Sequence, residues 1–423
     1  MNRTIFHVDV NSAFLSWTAV KRLKEDPDAV DLRTIPSVVG GDVKTRHGIV
    51  TAKSIPAKKY GIQTAEPIHS ALQKCPSLVV VPSDFATYRE YSHGFIDILR
   101  SYSEILEQVS IDEAFLDVTD LRETYPSEEF PLNVAKDIRE EIKNTLGFTV
   151  NVGISTNKLL AKMASDFSKP DKTHTLYPEE IREKMWPLDI GELFGCGKKT
   201  AEKLRTIGIR TIGEAALSDK KLLISILGEK SGEYIYRSAN GIGSDTVHPE
   251  RDDPKSYSNE TTTKNDITAD NYTQDLPPIV KRLSDKVSGR LQRDGVFGTV
   301  VNVQVKTSEF KRYSRQIKLD ESTDSADVIY RHAMALLLQL LDGESGLFSS
   351  GKKIRLVGVG VDHLDKGEYR QENLFDWMTT GKEELKLEKQ KKEKEEKLDI
   401  MERALREKFG KGIIHKGNKS DMV

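Results

Sequence analysis

Residues 107–120 read EQVSIDEAFLDVTD. Val109, Ile111, Phe115, Leu116 and Val118 give this stretch the apolar texture of a sheet strand, yet Glu107, Asp112, Glu113, Asp117 and Asp120 interrupt it. Carboxylates are costly to bury without a partner. Asp112 and Glu113 stand side by side, and one of two neighbouring acids would ordinarily take up a proton. A divalent cation removes that conflict by supplying the missing charge. Hard oxygen ligands with retained water suit Mg²⁺, and Mn²⁺ as its substitute. Successive side chains of a regular strand point to opposite faces. The two acids can therefore share a site only at a strand end, a turn or a bulge. We expect a hairpin to begin here, with Ser110 and Ile111 ending its first strand. Asp117 and Asp120 are expected to cap the strand end and to have no chemical role.

A second acid belongs with this pair. TIFHVDV (4–10) alternates as a buried strand does, and Asp9 lies inside it. Alone, Asp9 reads equally well as a satisfied buried polar residue. Together with Asp112 and Glu113 it suggests a phosphoryl-transfer site. Two metal ions a few Å apart activate an attacking oxygen and neutralise a leaving pyrophosphate. That chemistry is mostly positioning and charge neutralisation. Asp9 and Asp112 would be shared ligands, the Val10 carbonyl would add an oxygen, and Glu113 would hold the metal nearer the attacking hydroxyl.

Around these acids the chain is long and charge-rich. Its 423 residues imply two to four domains. A content of 37% apolar and 31% charged residues excludes a disordered or membrane chain. The net charge of -2 does not by itself announce a nucleic-acid partner, but a phosphate backbone feels local charge. Cys75 and Cys196 are far apart and form no metal or disulfide pattern, and no run approaches a membrane span. A cytoplasmic protein is expected.

The order of elements suggests an α+β sheet covered by helices, followed by a second unit. A strand at 4–10 precedes helices at 12–23 and 84–104, with a Gly-, Pro- and Lys-rich stretch (33–82) between them. A helix at 132–146, a strand at 148–155 and a helix at 157–169 follow. Short helices and Gly turns run from 176 to 243, and GSDTVHPERDDPKSYS (243–258) reads as a linker. Beyond it the pattern is β-α-β-β-α-β: 256–263, 277–293, 298–308, 311–319, 325–341 and 352–361. The end, 382–411, carries 11 basic and 9 acidic side chains and reads as a solvated helix.

DVNSAF (9–14) and SIDEAFLDVT (110–119) together resemble the motifs of Y-family DNA polymerases, of the DinB (DNA polymerase IV) and UmuC (DNA polymerase V catalytic subunit) branches. The likeness extends over about residues 3–375. It includes YREYS (88–92), VNVGISTNKLLAKMASDFSKP (150–170) and GCGKKTAEKLRTIGIRTIGE (195–214). It implies a multidomain α+β right hand with a ferredoxin-like palm at 1–12 and 83–175 and small fingers at 13–82. A helix-hairpin-helix thumb at 176–243, a linker at 244–258 and a little finger at 259–366 would follow. It implies template-directed addition of deoxynucleotides, translesion synthesis and no proofreading, in a monomer that takes primer-template DNA and deoxynucleoside triphosphates. By the same resemblance Asp9, Asp112 and Glu113 match the catalytic acids and Phe14 the aromatic gate that leaves no room for a 2′-hydroxyl. Lys158 matches the triphosphate-binding lysine, Lys58 the fingers residue gripping the triphosphate, and Thr51 a position roofing the new base pair. Three positions depart from the DinB pattern: Asn11 replaces an acid, Ile55 a tyrosine and Lys58 an arginine. Lysine binds phosphate as a point charge where arginine binds as a fork. Asn11 and Lys58 look more like UmuC, the thumb and linker more like DinB, and the branch stays open.

Two surfaces are expected to hold DNA. In LFGCGKKTAEKLRTIG (193–208), Gly195 and Gly197 would let backbone N–H groups approach a phosphate, with Lys198 and Lys199 adding charge. Between 278 and 318, ten basic side chains face three acidic ones. Among them are Arg290, Arg293, Lys306, Lys311, Arg312 and Arg315, several expected on one sheet face with salt-sensitive affinity for a duplex. In RQENLFDW (370–377), Gln371, Leu374 and Phe375 resemble the peptide by which bacterial polymerases dock on the sliding clamp. Two other readings are a nucleotide cyclase with a similar palm and a catalytically silent DNA- or clamp-binding protein. Cyclases need no hairpin, basic little finger or clamp peptide, and a silent protein needs no converging acids.

Overall fold

The computed structural model describes residues 3–41, 48–125, 128–250 and 252–366, with residues 392, 396, 397, 400, 401, 403 and 404 of the tail. The chain divides into two units, Met1–Pro254 and Lys255–Val423, and the boundary falls inside the expected linker. No helix among the described residues is long and apolar enough to cross a membrane.

The first unit contains β1 (Ile5–Val10), α1 (Ala13–Glu25), β2 (Ser37–Gly40), β3 (Val50–Lys53), α2 (Ile55–Lys59), α3 (Ile68–Lys74), β4 (Val79–Val81) and α4 (Phe85–Tyr102). It continues with β5 (Leu106–Gln108), β6 (Glu113–Asp117), α5 (Leu132–Leu146), β7 (Val150–Ser155), α6 (Lys158–Asp166) and β8 (Thr173–Thr175). It ends with four short helices, α7 (Lys198–Thr206), α8 (Ile212–Leu217), α9 (Lys220–Leu227) and α10 (Glu229–Ala239).

Its main sheet runs β5-β6-β1-β7-β8, with β1 antiparallel to both neighbours. Alternation along β1 explains its two faces. Phe6, Val8 and Val10 join Trp17, Tyr88, Phe95, Ile138 and Phe148 in a core beneath α1, α4 and α5. Ile5, His7 and Asp9 point the other way. On that second face Ile5 packs with Phe115, Ala161 of α6 and Val247. The register completes the face: Asp9 lies opposite Glu113 and Asn151, and His7 opposite Phe115 and Gly153. Helix α6 lies directly on it, which only Gly153 permits. A Cβ there would stand 2.0 Å from the Ala161 carbonyl oxygen.

The opening stretch is not one strand from 107 to 120. It is the expected hairpin, with the first strand ending at Gln108, three residues before Ile111. The Glu113 backbone carbonyl accepts the N–H groups of Val109 (3.1 Å) and Ser110 (3.3 Å), which closes the turn. Asp117 caps the far end by accepting the Thr119 N–H at 3.1 Å. A smaller sheet, β3-β2-β4, carries its own core of Val38, Val50, Ala57, Ile62 and Ile68.

The second unit contains β9 (Ser256–Ile267), α11 (Tyr272–Asp294), β10 (Phe297–Thr307), β11 (Arg312–Thr323), α12 (Ala326–Leu341) and β12 (Ile354–Asp365). The order is the expected β-α-β-β-α-β, and all strand pairs are antiparallel in the sequence β11-β10-β12-β9. Val301, Val303 and Val305 pack with Leu283, Val287, Leu336 and Leu337 of the two helices. The opposite face of the sheet lacks a helical cover among the described residues.

Candidate active site

Asp9 reaches the site from the end of β1, Asp112 from the hairpin turn and Glu113 from the first residue of β6. The Val10 N–H donates to the Asp112 carbonyl at 2.9 Å, which ties the turn to the β1 end. The Ser92 hydroxyl of α4 holds the Ile111 carbonyl at 2.5 Å. The three acids are thus gathered by backbone pairing.

Two lysines meet the acids. Lys169 Nζ donates to Asp9 Oδ2 and lies 2.9 Å from Asp166. Lys162 Nζ lies 3.1 Å from Glu113 Oε2, 3.5 Å from Asp166 and 3.9 Å from Asp9 Oδ2. Glu113 Oε2 also lies 3.2 Å from Nε2 of the buried His7. Among the described residues Asp112 meets no lysine; its Oδ1 accepts the Ser110 hydroxyl at 2.6 Å. The hydrogen bond from His7 and the charge of Lys162 hold the Glu113 carboxyl down at about 2. Burial, with Asp9 and Glu113 alongside, pushes the Asp112 carboxyl up despite the Ser110 hydrogen bond. Burial also lowers the His7 imidazole. For Lys169 burial works downward, but Asp9 and Asp166 outweigh it and raise the ammonium.

Among the described residues, no three acidic, imidazole or thiol groups already stand close enough together to hold a metal ion. The donor chemistry nonetheless fits a hard dication. The lysines, His7 and Ser110 all engage Asp9 Oδ2, Glu113 Oε2 and Asp112 Oδ1. The second oxygen of each acid accepts no side-chain hydrogen bond among the described residues. Four carboxylates, counting Asp166, face two ammonium groups, so the cluster retains negative charge. Removing Lys169 from Asp9 asks only a 35% exposed side chain to swing away.

Lys158 does not join this cluster. Its ammonium is bidentate on Glu107 (2.8 and 3.0 Å), and Glu107 Oε2 also accepts the His248 N–H at 2.9 Å. The lysines that meet the acids are Lys162 and Lys169, and the sequence reading missed both, along with His7. Lys162 and Asp166 stand one helical turn apart, a spacing that also describes any solvated helix face.

The remaining residues are placed as follows. Phe14 is half-buried and stacks on Tyr88, with centroids 4.6 Å apart and planes 20° apart. Asn11 accepts from Thr149 Oγ1 (2.9 Å) and the Asp171 N–H (2.8 Å), so it braces the loop after Lys169. Thr51 donates its hydroxyl to the Val39 carbonyl at 3.0 Å. Lys58 is exposed on α2, and its charge helps lower Lys53, behind the larger effect of burial.

Gly195 adopts φ +82 in the hairpin before α7, where a Cβ would meet the Tyr234 hydroxyl at 2.4 Å. Gly197 is the N-cap of α7, and Lys198 and Lys199 are exposed in its first turn. A short 3₁₀ turn, Ile190–Glu192, stands where the first helix of the hairpin motif was expected.

Of the basic residues between 278 and 318, Lys306, Arg312 and Lys318 share the open sheet face, and the others lie elsewhere. Lys306 and Arg312 are register partners on the open face, where Arg312 Nη1 donates to Gln304 at 2.9 Å. Arg315 lies opposite Val303, on the helix-covered side. Lys311 precedes β11, while Arg290 and Arg293 are on α11, bonded to the Ser258 carbonyl (3.1 Å) and Asp294 (2.9 Å). Gln371, Leu374 and Phe375 lie outside the described residues, as does most of the tail.

The impB/mucB/samB family model matches residues 8–166, its helix-hairpin-helix motif 178–209 and its C-terminal domain 254–374. These matches cover Asp9, Asp112, Glu113 and Lys162, and the chain belongs to this family. It has the fold of Y-family DNA polymerases and is related to DNA polymerase IV. It is 42% identical to DNA polymerase IV of Clostridium acetobutylicum over 98% of this chain and 97% of that one. It is 34% identical to DNA polymerase IV 1 of Bacillus subtilis, over 98% and 93%. A solved Y-family DNA polymerase chimera of Dbh and Dpo4 is 26% identical, with a TM-score of 0.72 over 85% of this chain and 98% of that one. The branch left open by Asn11 and Lys58 is thereby DNA polymerase IV, and the cyclase reading is not favoured. The protein is a DNA-directed DNA polymerase of the translesion class, and membership of this family brings dependence on a divalent metal.

Proposed function

We propose that Asp9, Asp112 and Glu113 are the catalytic acids of this polymerase and hold two Mg²⁺ ions, with Mn²⁺ able to substitute. The observation that supports this is the gathering of three acids at adjoining strand ends, each with one oxygen that accepts no side-chain hydrogen bond among the described residues. The metals supply Lewis acidity at the primer hydroxyl and charge neutralisation at the triphosphate. The Val10 carbonyl adds a further oxygen. The 3′-oxygen forms a bond to the α-phosphorus as the bond from that phosphorus to the pyrophosphate oxygen breaks. Lys169 and Lys162 leave the acids to hold the triphosphate, the task expected of Lys158. Moving an ammonium from one anion to another costs little where both states are paired. Phe14, held flat on Tyr88, closes the space beside the sugar's 2′ position. Lys58 contacts the triphosphate from the fingers, and Thr51 covers the new base pair.

Gly195, Gly197, Lys198 and Lys199 bind a phosphate of the duplex without reading sequence, through backbone N–H groups and charge. Lys306, Lys311, Arg312, Arg315, Arg290 and Arg293 add further phosphate contacts from more than one surface. Gln371, Leu374 and Phe375 dock on a sliding clamp, and the protein acts as a cytoplasmic monomer.

Primer extension with Mg²⁺ and deoxynucleotides tests the site. Asp112→Ala and Glu113→Ala should each abolish extension while DNA affinity is kept. Extension retained by both variants would remove the assignment.

A further inference from the structure

His7 is fully buried on the face that carries the acids, two residues before Asp9. A phenylalanine would fill such a place without needing partners, whereas an imidazole there must have both nitrogens satisfied. Both are. Nε2 lies 3.2 Å from Glu113 Oε2 and Nδ1 lies 2.8 Å from Ser165 Oγ of α6. The ring packs on Phe115 at 4.7 Å, which fixes its plane. An ionised carboxylate only accepts, so Nε2 carries the proton, Nδ1 accepts, and the Ser165 hydroxyl is its donor. Ser165 Oγ can turn instead to the Lys162 carbonyl, also at 2.8 Å.

The other partner of Glu113 is Lys162, and it lands on the same oxygen, Oε2. Lys162 is divided among Glu113, Asp166 and Asp9, whereas His7 is locked by packing. We propose that His7, directed by Ser165, is a positioning residue that pins Glu113 by Oε2 and so leaves Oε1 open to the catalytic cation. It rests on the reading of Glu113 as a catalytic acid. Groups that orient a metal ligand in this way are typically worth roughly 10- to 100-fold in metal affinity or activity.

The test uses the full chain bound to primer-template DNA and a non-hydrolysable deoxynucleotide. Mn²⁺ affinity is read by electron paramagnetic resonance, and Mg²⁺ dependence by single-turnover extension with the natural nucleotide. His7→Phe should weaken Mn²⁺ binding and raise the Mg²⁺ midpoint by roughly tenfold or more. It should lower kcat while leaving KM for the nucleotide and the DNA affinity nearly unchanged. His7→Gln keeps an N–H near the Nε2 position and should restore most of the loss. Ser165→Ala, which removes the tautomer director, should give a smaller loss in the same direction. A folded His7→Phe with wild-type Mn²⁺ affinity and Mg²⁺ midpoint overturns the proposal. If His7→Phe does not fold, wild-type metal affinity in Ser165→Ala overturns it. Glu113→Ala is run in parallel. Its retained extension would refute the site itself, whereas its inactivity beside a silent His7→Phe refutes only the positioning role.

Discussion

Gly153→Ala is the substitution that most directly tests how this fold holds its site. Gly153 lies in the middle of β7, opposite His7, under α6. A Cβ at 153 would stand 2.0 Å from the Ala161 carbonyl oxygen and 2.4 Å from the Ser165 amide nitrogen. Heavy atoms ordinarily touch at about 3.5 Å, so the overlap is roughly 1–1.5 Å. Both opposing atoms are helix backbone and cannot turn aside as a side chain could. Helix α6 must therefore lift, and it carries Lys162 and Ser165 with it. The contacts those residues make, 3.1 Å to Glu113 and 2.8 Å to His7, do not survive such a shift. Overpacking costs about 1–3 kcal/mol and a lost hydrogen bond to a charged group about 1.5–3 kcal/mol. We expect about 3–5 kcal/mol of destabilisation by urea unfolding, which leaves a typical domain folded at 25 °C. Misplacement by about 1 Å should slow single-turnover extension by roughly 100-fold, with DNA affinity unchanged. Gly289→Ala is the control. It lies in α11 with nothing within 4 Å of its Cβ, and alanine there should stabilise by up to about 1 kcal/mol. Wild-type stability and rate in Gly153→Ala would show that α6 does not rest on that glycine as described.

Three further outcomes are expected. Phe14→Ala should raise ribonucleotide incorporation in competition assays. Its stability cost should fall below the roughly 3–5 kcal/mol of a fully buried phenylalanine, because Phe14 is half-buried. An unchanged sugar preference would make Phe14 only the partner of Tyr88. Lys158→Ala should loosen residues 241–248 in hydrogen exchange, at about 1–3 kcal/mol, without changing KM for the nucleotide. A raised KM would return Lys158 to the triphosphate. Burial depresses the His7 imidazole in the folded state, so the unfolded chain binds its proton first as pH falls. The stability from this residue is complete above about pH 6.5 and declines below it. His7→Gln should flatten that part of the unfolding profile, and an unaltered slope would contradict a buried neutral imidazole.

The acids were legible in the sequence because each breaks a local rule. An aspartate inside TIFHVDV and two adjacent acids in an apolar stretch are costly unless something compensates them, and the strand period forces the second pair to a turn. The hairpin at 109–112 is one of the arrangements that constraint allows. Lys162, Lys169 and His7 break no such rule. A lysine on a helix is ordinarily solvated, and a histidine in an alternating strand reads as core. Only the register that sets Asp9 opposite Glu113, and the close seat of α6 on Gly153, brings them onto the acids. The place of Lys158 at a helix start suited a phosphate, and the pairing of its ammonium with Glu107 was equally invisible in the sequence. In the second unit Lys306, Arg312 and Lys318 share the open face as alternation implies, whereas Arg315, an odd number of residues from Arg312, falls on the other. The turn at 308–311 sets Arg312 opposite Lys306 and Arg315 opposite Val303, on opposite sides of the sheet. Composition shows how many charges a segment carries, but the register of a hairpin decides which face receives them, and one residue more or less in the turn exchanges the faces. Lengthening the 308–311 turn by one residue should therefore move Arg315 to the open face and Arg312 off it. A salt-dependence slope of DNA binding that changes on that insertion, but not on a like-charge exchange of Arg315 for lysine, would show that the face, and not the charge count, governs the contact.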